Sequence, residues 1–217
     1  DWNGTAAALN LHRASLRFQD PAREQGFVGS RLDKLLANLF LRACAAAALC
    51  VACVMIVLLR WRAYDRSAFV TDAAFKLTQL QTICLGVACS VHLLAALAAR
   101  ARWLALLVGP VAYELVTVAA MTSVLCMLVL TTLWYSCKLS GQDPWDVWMG
   151  TQQHSDSMVL LVIDLFVTTS HVALPIRWIV LAPLEVVGVG LYIACLAIGS
   201  PETSAVFNLA ALVVLVV

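Results

Sequence analysis

The sequence predicts an all-α polytopic membrane helix bundle, with about six transmembrane helices and an N-terminal interfacial segment. Three observations predict it. Hydrophobic residues make up 62% of the 217-residue chain and the mean hydropathy is +0.89, whereas soluble domains are nearer ~45–50% apolar. Six runs are apolar enough to sit in hydrocarbon, and nearly every charge falls between them: 35–59, 77–99, 111–134, 158–176, 178–198 and 205–217. The runs are continuous and rich in Leu and Ala rather than alternating. They therefore predict helices, which satisfy their own backbone hydrogen bonds in lipid, and not the alternating strands of a barrel.

This pattern divides the chain into an extramembrane or interfacial segment over 1–34 and a six-helix membrane domain over 35–217. In the first, Asp20-Pro21 is a helix-start signal, and Leu16, Phe18, Phe27 and Leu32 predict a short amphipathic helix on the membrane surface. Trp61, Tyr64 and Phe69 mark the exit of the first run at headgroup level. Lys76, Thr78, Gln79 and Gln81 lead into the second. The third belongs to a longer apolar stretch, Trp103 to Tyr135, which Gly109-Pro110 breaks, leaving Trp103–Val108 as a short interfacial piece. A seven-span alternative with a tight turn near Thr122-Ser123 stays open. The longest connection, Ser136 to Ser157, holds Trp145, Trp148 and His154. Pro175 ends or kinks the fourth run, Pro183 kinks the fifth, and Gly199-Ser200-Pro201 closes it. The last run stops at Val217 without a flanking charge, so continuation past that residue is expected. The chain opens at Asp1, and its polar first ~30 residues lack a signal-peptide pattern.

The net charge of +1 gives no bulk attraction to nucleic acid. Nine Lys and Arg fall on the N-terminal side of the predicted topology and five on the other. The positive-inside rule then places the N-terminus in the cytoplasm or its equivalent. Seven of eight cysteines lie within the apolar runs, and the Cys50-x-x-Cys53 pair has no βαβ context, so packing is their expected role.

Ionisable side chains inside the bilayer are costly and mark candidate sites. Asp164, Thr168 and His171 follow at i, i+4 and i+7 and share a helical face. That face suits a proton relay, a cation or a partner, or, more simply, a polar clamp between helices. Glu185, just after Pro183, joins them as a candidate intramembrane polar residue. His92, amid small neighbours, and His171 are candidate ligands for haem or for a pigment magnesium. A packed, hydrogen-bonded histidine is the plainer reading of each. No phosphate loop, zinc-protease, serine-hydrolase or channel-filter motif is present, and the chain is expected to be non-catalytic, with no metal site.

Leu16-Arg17-Phe18-Gln19-Asp20-Pro21 with Glu24 and Phe27, and Leu174-Pro175-Ile176-Arg177-Trp178 with Tyr192 and Gly199-Ser200-Pro201-Glu202, form a second kind of signal. Together they resemble parts of the six-helix membrane domain of class III adenylyl and guanylyl cyclases. The resemblance implies a membrane anchor or sensory module, leading beyond Val217 to a catalytic domain that this chain does not contain. A different reading is an accessory subunit of a large membrane complex, photosynthetic and thylakoid-located, holding chlorophyll, carotenoid or lipid. A third is a small transporter using Asp164 and Glu185. The expected partners are membrane lipids and either other membrane subunits or a second copy in a homodimer.

Overall fold

Helices form where the apolar runs lie, and their ends follow from caps and prolines. In this computed structural model the described residues are 20–63, 71–148, 155–201 and 204–216, all helix or connection, with no strand among them. Helix α1 spans Pro21–Ala63. It starts at the Asp20-Pro21 signal, where the Asp20 carboxylate accepts from Ala22 N at 2.9 Å and proline takes the first helical position. It runs on without interruption across residues 34 and 35. Leu16 and Phe18, the side chain of Trp61, and Tyr64, Phe69 and His154 lie outside the described residues.

Helix α2 spans Asp72–Arg100, capped by the Thr71 side chain, which accepts from Ala74 N. A short α3, Arg102–Val108, ends at Gly109, whose φ of 89° suits glycine. Pro110 then opens α4, Pro110–Leu130. The break at Gly109-Pro110 therefore falls where the sequence places it. Thr122 and Ser123 donate to the carbonyls of Val118 and Ala119, four residues back, inside an unbroken α4; the seven-span alternative has no turn to use. The helix stops at Leu130, short of Trp134, where Thr132 takes an extended conformation (φ −58°, ψ 144°); the Thr131 and Thr132 hydroxyls donate to Met127 O and Val129 O at 2.7 and 2.8 Å. Two short helices follow, α5 (Leu133–Leu139) and α6 (Pro144–Trp148).

Helix α7 spans Ser157–Ala173, α8 Trp178–Ile198 and α9 Ala205–Val216. Here the expected count of six crossings is corrected. Among the described residues four helices, α1, α2, α4 and α8, are long and apolar enough to cross a membrane. Pro175 holds Leu174 in an extended conformation (φ −103°, ψ 124°), so α7 ends after 17 residues instead of running to Ile176. The α9 helix has 12. As described, neither reaches the ~20 residues typical of a crossing. The chain is an integral, polytopic membrane helix bundle, with four such helices rather than six among the described residues.

Helix α4 occupies the middle of the bundle and packs on α1, α2, α7 and α8. Leu125, Ile163, Leu181, Leu184 and Tyr192 are fully enclosed there. Ala43 and Ala47 on α1, with Ala88, Ala96 and Ala99 on α2, are buried small residues that let the long hairpin close. Gly188 does the same between α8 and α7, where a Cβ would stand 3.1 Å from the Ile163 side chain. Outward positions are apolar as well, Leu97 at 67% exposure and Val214 at 80%, as expected of a molecule whose solvent is hydrocarbon. All eight cysteines are free thiols.

Candidate functional site

Among the described residues, four gatherings of polar side chains bear on function. At the end of the bundle where α4 and α8 begin, Arg177 joins two acids. Its Nε donates to Glu114 Oε2 at 2.9 Å, Nη2 lies 2.8 Å from the same oxygen, and Nη1 bonds Glu24 of α1. All three side chains are buried. Three helices are thereby tied at one point.

At the opposite end, Asp156 is fully buried ahead of α7. The Tyr135 hydroxyl donates to Oδ1 at 2.5 Å and the Ser200 hydroxyl to Oδ2. Burial, and then the bond to this carboxylate, push the Tyr135 phenol well above its ordinary value. The Trp134 indole N–H closes the same corner by donating to Gly199 O at 2.7 Å.

The predicted intramembrane residues occupy a third place. Thr168 donates to Asp164 Oδ1 at 2.7 Å, a bond within α7 and not between helices. His171 Nε2 and Glu185 Oε1 are 2.5 Å apart and connect α7 to α8. These four residues form a stripe on the outer face. His171 keeps 42% of its side chain exposed and Glu185 15%, with apolar Leu165 and Val172 alongside at 43% and 82%.

The fourth place is a cavity of about 330 Å³ bordered by α1, α2, α3 and α4 and open on one side. Its walls are apolar apart from Arg42, His92, Tyr113 and Thr117. Arg42 donates to the Met121 thioether at 2.9 Å and to Phe166 O at 3.3 Å, and its guanidinium stands 5.8 Å from the Phe166 ring centre. His92 lies near the same ring, centroids 6.4 Å apart.

His92 thus lines this small cavity beside a guanidinium, a poor setting for a macrocycle ligand. The Nε2 of His171 is already engaged by Glu185. The pigment and photosystem readings are corrected accordingly. Among the described residues no three His, Cys, Asp or Glu side chains gather as metal ligands. Glu114, Arg177, Asp156 and Arg42 are not marked as site residues by spacing along the sequence. Each draws its significance from residues that are distant along the chain.

Set against protein families, curated proteins and solved structures, the chain matches none of them. With four long apolar helices and no such match, the cyclase resemblance is corrected too: the short segments that carry it do not extend to a relationship.

Proposed function

We propose that this chain is a non-catalytic membrane subunit whose outer polar stripe docks a transmembrane helix of a different protein. The observation that carries this reading is the exposed His171 imidazole, bonded to a Glu185 carboxylate that is largely covered, with Asp164 two helical turns away on the same side. Ionisable groups in membrane helices almost always face a bundle interior or a wet cavity, since an uncovered charge costs ~2.5–3.5 kcal/mol at a helix centre on insertion scales. Here His171 is 42% exposed at the outer face with Asp164 beside it, and a neighbouring helix supplies the missing cover. The stripe presents two carboxyl groups and one imidazole, so its complement is a helix bearing a cation and further donors.

A second copy fits less well. Two copies inserted the same way and related by a two-fold axis meet at equal depths, which sets Asp164 against the other Asp164.

The test places the purified chain in liposomes with labelled poly-leucine helices, one carrying a central lysine and one without. The lysine helix is expected to associate by energy transfer. Association is expected to be lost with Asp164→Asn combined with Glu185→Gln. Equal association of both helices, or of neither, overturns the reading; energy transfer between copies of this chain alone, without the helix, replaces it with self-association.

A further inference from the structure

The cavity does not depend on the stripe; it lies on other helices and poses its own problem. Arg42 cannot shed its charge, since guanidinium stays protonated in proteins. Arg42 is partly buried, and a cation drawn out of water is stabilised by pairing or full hydrogen bonding. Among the described residues no carboxylate lies within ion-pair distance of Arg42, whose contacts are a thioether, one carbonyl and a ring face. Five donors meet two neutral acceptors, one of them weak. His92, on the α2 wall, makes no hydrogen bond to the described residues and has a ring N–H to offer.

The rest of the lining is hydrocarbon, and the volume lies at the lower end of the ~300–1,000 Å³ typical of small-molecule pockets. Three lining residues, Leu94, Val108 and Val116, are themselves 65%, 44% and 62% exposed on the outer face of the bundle. The mouth therefore opens sideways, between α2, α3 and α4, toward acyl chains.

From this juxtaposition we infer that the cavity binds an anionic single-chain amphiphile, with its oxyacid head on Arg42 and His92 and its alkyl chain against α2 and α4. A carboxylate or phosphate head supplies the acceptors that the guanidinium lacks, and a fork-to-fork pairing suits either. Entry from the bilayer suits a molecule already dissolved there.

The experiment uses the purified full chain in detergent, labelled with a photoreactive long-chain fatty acid, and maps the labelled peptides. Labelling is expected within α2 and α4, competed by unlabelled fatty acid or alkyl phosphate and not by the methyl ester or an alkylammonium. Whichever of the two anions competes better assigns the source, a free fatty acid or a phosphate-headed lipid. Arg42→Gln is expected to weaken competition by the acid by about tenfold or more, the effect of one charge-assisted hydrogen bond, and Arg42→Lys to restore much of it. Should Arg42→Gln fail to fold, Ala120→Trp keeps the charge, fills the cavity and is expected to abolish labelling. Equal competition by the methyl ester, or labelling unchanged in the folded variants, overturns the proposal.

Discussion

The Arg177 guanidinium donates through Nε to the Glu114 carboxylate at 2.9 Å, joining the start of α8 to the start of α4 across 63 positions of sequence. The same side chain also reaches Glu24 on α1. One cation thus offsets two buried acids, and removing it leaves both without their guanidinium.

Arg177→Met is therefore expected to destabilise the bundle by ~3–5 kcal/mol, the cost of breaking a buried ion pair from one side. Combining it with Glu114→Gln removes one of the stranded charges and recovers part of the loss. Thermal unfolding in a single detergent, read as the order wild type, double variant, single variant, checks this.

At the other end, Tyr135→Phe deprives the buried Asp156 carboxylate of a donor and is expected to cost ~1–3 kcal/mol. It also changes the alkaline limb of stability. The phenol is raised in the folded chain, so above the ordinary phenol value of ~10 the unfolded chain releases a proton that the folded chain keeps. Stability then falls as pH rises. Denaturation midpoints followed from about pH 9 to 11 are expected to drop more steeply for wild type than for Tyr135→Phe.

Gly188 and Gly190 make a matched pair on α8. A Cβ at Gly188 meets Ile163 at 3.1 Å, whereas at Gly190 it meets nothing within 4 Å. Gly190→Ala is expected to stabilise by up to ~1 kcal/mol through helix propensity. Gly188→Leu is expected to lose ~1–3 kcal/mol to overpacking, with partial rescue by Ile163→Ala, which removes the Cγ2 methyl that it meets. Unfolding curves of the four proteins decide it, and a neutral Gly188→Leu would remove the close approach of α7 and α8.

Asn38 on α1 donates from Nδ2 to Ala173 O at 2.5 Å, holding the end of α7 where Pro175 interrupts the helix. Asn38→Leu leaves that carbonyl without this donor and is expected to cost ~1 kcal/mol. It is also expected to speed hydrogen exchange at the C-terminal turn of α7, measured by mass spectrometry, ahead of the rest of the bundle.

How much of this was legible in the sequence follows from the range of each interaction. The helical class and the Gly109-Pro110 break are local, written in composition and in two adjacent residues. The count of crossings was overread because hydropathy registers apolar content and not helix continuity. Leu174 and Ile176 are as apolar as any membrane residue, yet Pro175 between them ends the helix. Thr131 and Thr132 are near neutral on such scales, so the stop at Leu130 leaves no mark in hydropathy. Asp164, Thr168 and His171 could be placed on one face from spacing alone. That Glu185 meets His171 depends on the reversal between α7 and α8. Arg42 gave no signal beyond its charge, because its neighbours Met121 and Phe166 lie 79 and 124 positions away.

The unbroken length of α1 has a mechanical consequence. Its 43 residues make a rod of ~65 Å at ~1.5 Å per residue. Transmembrane helices lean by at most ~40°, which leaves such a rod longer than the ~40–45 Å of bilayer with its headgroups. Part of α1 must stand in water as a stiff continuation of the buried part. The first turns of α1 are not free there: Glu24 is held by the Arg177 guanidinium, which also takes Glu114 at the start of α4, so the rod is fastened near one end to two other helices.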